Sequence, residues 1–306
     1  MFCYAMARRL SWNSGLPLRL DLETGFCRDP YQRCYMLDLF RTQQTATGPN
    51  EGFSGRLGEF RRRVCRNVTR LQPLHRRRYL CEEVKTKTVV VHGVPCVYSQ
   101  KVFDSQILNL QPRQSVYVDG LWQDARYFAD IDAALRNEFS PDFVISPEVL
   151  SAVATLRTQE SVCVHVRMFQ ELTVEDRKLA NAGMGVTSLQ YYRKALAAIR
   201  AKVKNPVLYL FSETPDLARK IMPEEAEFHF VQSHASDVRK RAVEEFWLMS
   251  NCRHFVSPQS TFCWWAAWLS DNAKKIITVP NCGSWRDYFH YQPPGLSVIE
   301  QPFTAE

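Results

Sequence analysis

In the second half of the chain, short apolar runs alternate with amphipathic helical patterns, and few architectures accept that rhythm. Val162–Val166, Val207–Phe211 and Phe228–Val231 are β-branched or aromatic stretches of strand length, and His254–Ser257 and Lys275–Val279 continue the series. Between them, Leu189–Val203, Ala242–Asn251 and Thr261–Leu269 carry helical spacing. The tetrapeptide Ser212-Glu213-Thr214-Pro215 supplies an N-cap and a helix start. Runs that lack polar alternation suit strands covered on both faces. The pattern therefore predicts a doubly wound α/β domain over about residues 155–290.

The first half is less regular. Phe2, Met6 and Leu10 recur four apart and predict a helix over residues 1–11. Leu16–Leu22 reads as a short strand, and residues 41–55, rich in Thr, Gln, Gly, Pro and Asn, read as a loop. Thr88–Val91 and Ser115–Val118 read as strands followed by Gly93 and Gly120. Asp124–Phe139 reads as one amphipathic helix stopped at Ser140-Pro141. At 306 residues the chain has room for two domains, drawn as 1–150 and 151–306.

In an open α/β sheet, ligands lie outside the carboxyl ends of the strands. The residues to read for chemistry are therefore Arg167, Ser212, Glu213, Gln259, Ser260 and Thr261, with His165 two residues before Arg167. A guanidinium fork matches phosphate geometry. Ser260 and Thr261 open a helix whose amino end favours an anion. Glu213 can accept hydrogen bonds from a sugar or a base. Behind Thr261 come Trp264, Trp265 and Trp268, three of the seven tryptophans within five residues, whose helical spacing suits core packing.

The net charge of +7 is uneven: nine arginines and one glutamate lie between Arg56 and Arg78. Such a block can be a solvated helical face, a contact with an anionic membrane surface, or a nucleic-acid site. Sparse aromatic interleaving disfavours nucleic acid. The ten cysteines are irregularly spaced and include no Cys-x-x-Cys pair, so they read as free buried thiols of a reducing compartment rather than a metal site. With 45% hydrophobic and 23% charged residues, no apolar run of about 20 residues and no signal-peptide pattern, a globular protein is expected. The expected location is cytoplasmic, with peripheral contact at the inner membrane face.

Gln259-Ser260-Thr261-Phe262-Cys263-Trp264-Trp265-Ala266-Ala267-Trp268-Leu269 resembles a segment of the α-1,2-fucosyltransferases, glycosyltransferase family 11. Three further segments are similar to that family: Phe246–His254, Gly120–Phe128 and Met1–Leu10. The resemblance implies the GT-B arrangement, two facing Rossmann-like domains. It also implies GDP-fucose as donor substrate, no metal or other cofactor, inversion at the anomeric centre, and a glycan or lipid-linked glycan acceptor. It implies donor contacts from His165, Arg167, Ser212, Glu213, Glu245, Gln259, Ser260 and Thr261. Three departures stand out. The family's Gly-x-Gly-Asn-Gln ahead of the Met-Phe match is absent, so the N-terminal domain is expected to be truncated. The family's His-x-Arg-Arg-Gly-Asp reads His165-Val166-Arg167-Met168-Phe169-Gln170, and Glu245 stands in place of an Asp.

An inverting transfer needs a group to take the acceptor proton. Glu171, Asp124 and Asp119 are the candidates, and both aspartates also suit turn or helix caps. The expected function is transfer of L-fucose from GDP-fucose to a hydroxyl, the 2-OH of galactose. The alternatives are a transferase for another nucleotide-sugar and a non-catalytic basic module that binds membranes or polyanions.

Overall fold

A computed structural model describes residues 1–26, 33–46, 53, 55–91, 94–167, 189–222, 227–281 and 296–300. The chain divides into two compact units at Ser140–Pro141. The first unit carries helices α1 (Phe2–Ser14), α2 (Gly55–Thr69) and α3 (Asp132–Glu138). Its strands are β1 (Arg19–Leu20), β2 (Thr45–Ala46), β3 (Tyr79–Cys81), β4 (Glu83–Val91), β5 (Val94–Val102) and β6 (Tyr117–Asp119). β1 pairs with β2 and β3 with β6 in parallel, while β4 and β5 form an antiparallel hairpin.

The second unit opens with α4 (Pro147–Thr158) and then alternates: β7 (Ser161–Val166), α5 (Leu189–Lys202), β8 (Val207–Ser212), α6 (Pro215–Ile221) and β9 (Phe228–Phe230). It continues with α7 (Val238–Ser250), β10 (His254–Val256), α8 (Thr261–Leu269), β11 (Ile277–Asn281) and β12 (Leu296–Glu300). All six strands are parallel, in the order β12-β11-β10-β7-β8-β9. The α/β class is the one the apolar rhythm predicts. β12 was not read from the sequence.

The reason for the match is visible in β7, whose six residues are all buried. Side chains on a strand alternate between faces. Val162, Val164 and Val166 join one core with Tyr191, Tyr192, Ala195 and Ile199 of α5. Cys163 and His165 take the opposite face. A strand covered on both sides can only be a continuous apolar run.

The first unit departs more from the sequence reading. α1 forms as expected and ends at Gly15, in the left-handed conformation with φ 70°. The single helix expected over Asp124–Phe139 is instead two 3-10 turns, Ala125–Tyr127 and Ala129–Ile131, followed by α3. Asp124 caps the first turn, accepting the Arg126 N–H at 3.0 Å. Trp122, just ahead of this broken segment, and Tyr127, Phe128, Leu135 and Phe139 within it are all buried. Gly120 precedes it with φ 149°, and a Cβ there would lie 2.6 Å from the Glu82 Cβ.

The arginine block is helical in part, with Arg56–Arg66 in α2, but α2 does not present it as a plain solvated face. Arg62 and Arg66 turn inward onto Asp119 of β6, whose side chain is 2% exposed. Arg62 Nε donates to Asp119 Oδ2 at 3.1 Å and Arg66 Nε at 2.6 Å, and the Tyr79 hydroxyl donates to the same oxygen. The cysteines also depart from expectation: Cys163, Cys252 and Cys263 are free and buried, but Cys3 and Cys34 are exposed.

Burial pushes the Asp119 carboxyl up, but the hydrogen bonds from Arg62, Arg66 and Tyr79 outweigh it and hold its pKa at about 2, against an ordinary 3.8. The folded value is the lower one, so the stabilisation is fully present above about pH 4 and is lost as pH falls toward 2. It amounts to about 2 kcal/mol. Asp119→Asn is expected to flatten this part of the acid-unfolding curve and to destabilise by about 3 kcal/mol at neutral pH, read by urea titration.

Candidate nucleotide-sugar site

Counting outward from β7, the strand order is 3-2-1-4-5-6, the order of dinucleotide-binding sheets. The strand order reverses between β7 and β10, and the crevice at their carboxyl ends is where such sheets bind ligands. His254, Phe255 and Val256 pair with Val162, Cys163 and Val164, so both strands end side by side. Two tyrosines of α5 fasten these ends. Tyr192 donates its hydroxyl to the His165 carbonyl at 3.0 Å, and Tyr191 donates to the Ser257 carbonyl at 2.6 Å.

Arg167 follows β7 directly and is half-buried. Residues 163, 165 and 167 share one face of the strand line. On that face His165 is buried beneath Phe262 of α8, with ring centroids 6.2 Å apart. His165 Nδ1 is buried and has no hydrogen-bond partner among the described residues. Such a polar atom calls for a partner.

From the other side of the switch point, Ser260 caps α8, its hydroxyl accepting the Cys263 N–H at 3.3 Å. The first amides of a helix have no intrahelical partner, and the helix dipole adds positive potential there. Gln259 and Thr261 flank the cap and are half-buried. The tryptophans hold the helix in place: Trp264, Trp265 and Trp268 are buried, with Trp264 stacked on Trp268 at 5.3 Å. Phe262 alone of that segment's aromatic residues is exposed.

β8 extends the site sideways. Val166 pairs with Ser212, which sets Arg167 next to Glu213, and Arg167 Nη1 lies 3.2 Å from Glu213 Oε1. Beyond them is a cavity of about 420 Å³ whose walls include Ser212, Glu213, Gln232, Ser233, His234 and Glu245. Burial raises the Glu245 carboxyl above its usual range against the opposing pull of Arg241. The neighbouring Glu244 serves structure instead, accepting the Ser146 N–H at 3.0 Å and the Ser233 hydroxyl.

Sequence reading missed Gln232, Ser233 and His234. The strand-end rule that picked out Arg167 and Glu213 applies equally to β9, and extended past Phe230 it reaches all three. Of the three candidates for taking the acceptor proton, Asp119 belongs to β6 of the first unit. Asp124 belongs to the first unit and is ion-paired to Arg126 at 2.5 Å. Glu171 and the departing triplet Met168–Gln170 lie outside the described residues. Among the described residues no three His, Cys, Asp or Glu side chains gather as metal donors.

The family model described as glycosyl transferase family 11 matches residues 100–291. The chain belongs to glycosyl transferase family 11. The match takes in Gly120–Phe128, Phe246–His254 and the Trp-rich α8, but not Met1–Leu10. Among relatives, an alpha-1,2-colitosyltransferase of Escherichia coli is 28% identical over 182 residues, 58% of this chain and 59% of that protein. The O-antigen biosynthesis glycosyltransferase WbnK of Escherichia coli is 27% identical over 165 residues, 50% of this chain and 52% of that protein. The chain thus spans between half and three fifths of these relatives. The crystal structure of the fucosyltransferase NodZ from Bradyrhizobium aligns over 87% of this chain and 86% of its own, at 14% identity and a TM-score of 0.45.

Ser260 in this family 11 segment has an architectural task that can be measured. Ser260→Ala removes the cap of α8 and is expected to lower stability by about 1 kcal/mol, while Ser260→Gly costs a few tenths. Equal losses in denaturant titrations would show that the hydroxyl does not cap the helix.

Proposed function

We propose that this chain is an inverting, metal-independent glycosyltransferase that moves L-fucose from GDP-fucose to a glycan hydroxyl, the 2-OH of a galactose. The observation that carries the reading is the sheet order, which sets Arg167 and the capped end of α8 on neighbouring strand ends at the switch point. The diphosphate would lie there, received by the Arg167 guanidinium, the first amides of α8 and the buried His165 ring. The nucleoside would occupy the cavity beside it, with Glu213, Ser212 and Glu245 accepting or donating hydrogen bonds. Gln259 and Thr261 would complete the phosphate end.

Arg167 faces Glu213, with both side chains 30% exposed. An ion pair this open contributes about 0–1 kcal/mol. A charged hydrogen bond to phosphate contributes about 1.5–3 kcal/mol. Exchange of one partner for the other is therefore favourable, and Glu213 is freed for the nucleoside. As the glycosidic bond breaks, negative charge grows on the departing diphosphate, and fixed donors aimed at it lower the barrier.

Three carboxylates are candidates for taking the acceptor proton. Asp119, at a pKa of about 2, is a poor base, and Asp124 is engaged with Arg126. Glu171 is thus the residue to test. Glu171→Gln is expected to lower kcat about a hundredfold with little change in KM.

A second donor has a specific observation in its favour, the likeness to a protein named as an alpha-1,2-colitosyltransferase. A donor panel separates the two. Membrane-linked acceptors fit the same scheme, and among the described residues no helix is long and apolar enough to cross a membrane.

Arg167→Ala is expected to weaken GDP binding by about tenfold to a hundredfold in calorimetry. Unchanged GDP affinity, with the fold intact, would refute the site.

A further inference from the structure

Helix α2 is inside out. Its protein-facing side is Gly58, Arg62, Arg66 and Thr69: Arg62 and Arg66 hold Asp119, and the Thr69 hydroxyl donates to the Tyr79 carbonyl at 2.6 Å. The opposite side carries Leu57, Phe60, Val64 and Val68, continued by Leu71 in the turn just past the helix, spaced three and four apart. These are 75%, 65%, 42%, 47% and 86% exposed. A helix that turns arginines inward and a continuous apolar stripe to solvent has a surface built for something other than water.

The flanks of the stripe say what covers it. Arg61 borders one side, and Arg56, Arg63 and Arg70 the other, and all four are exposed. The helix has one acid, Glu59, set 3.5 Å from Arg63. An apolar stripe between basic flanks matches a bilayer interface, where side chains enter the acyl boundary and guanidinium groups stay at anionic headgroups. A second copy of this chain would bring the same arginines against each other.

We propose that α2 is an interfacial anchor that lies in the plane of an anionic membrane, with Leu57, Phe60, Val64, Val68 and Leu71 inserted and Arg61, Arg63 and Arg70 on the lipid phosphates. The Asp119 clamp fixes the rotation of α2, so the stripe stays outward without lipid. The anchor gives the unit a defined orientation on the surface, and it stands or falls independently of the transferase reading because its readout is partition.

The test is co-sedimentation of the full chain with phosphatidylcholine vesicles with and without phosphatidylglycerol. The expected result is binding only to the anionic vesicles. Leu57→Ser with Phe60→Ser should weaken it about tenfold or more. Arg61→Glu, Arg63→Glu and Arg70→Glu should weaken it roughly fivefold for each charge lost. Val144→Ser, at an exposed apolar position of the second unit, should change nothing. The stripe variants should keep the wild-type Tm. Four results would overturn the proposal: no binding by the wild type; full binding by the Leu57/Phe60 variant, meaning charge alone; a dimer that the same variant dissociates; or binding to nucleic acid in preference to anionic vesicles. A Tm drop in the stripe variants would also count against it, since it would mean the stripe is packed.

Discussion

Everything at the proposed site depends on the central position of β7. It pairs with β8 on one side and β10 on the other, and it is the strand at which the order of strand addition switches sides. Its alternation divides the work: the valines bury into the α5 core, while Cys163, His165 and Arg167 follow the face toward α8. A shift of one residue would send Arg167 to the valine side and empty the switch point of its cation. The burial of all six strand residues makes that shift costly.

Around that strand, rigidity comes from neutral groups and charge is kept at the rim. Tyr191 and Tyr192 tie the ends of β10 and β7 through their hydroxyls, and the stacked tryptophans seat α8. Arg167 and Glu213, the two groups with a proposed ligand role at the tip, remain partly exposed. Preorganisation of this kind lets a ligand exchange partners without disturbing the core.

The first unit uses charge differently. Asp119 is buried, and two arginines with a tyrosine meet both of its oxygens. Removing both arginines would leave an uncompensated buried charge. This cluster decides which way α2 faces, and so turns an arginine-rich helix into one with an apolar outer stripe.

The amino-acid sequence determined the strand and helix rhythm of the second unit, because a strand buried on both faces must be a continuous apolar run and an amphipathic helix must repeat every three or four residues. It also determined the strand-end residues Arg167, Glu213, Ser260 and Thr261, which follow from where each run stops. Three matters were settled only in three dimensions. One is the strand order, which sets β7, the strand before Arg167, beside β10, the strand before α8. Another is the breaking of Asp124–Phe139 into turns around Trp122 and its neighbours. The third is the inversion of α2. Each rests on partners far away in the chain: Val162 with His254, Phe2 with Phe128, Arg62 with Asp119. Periodicity reports which residues share a face. It does not report what that face will meet.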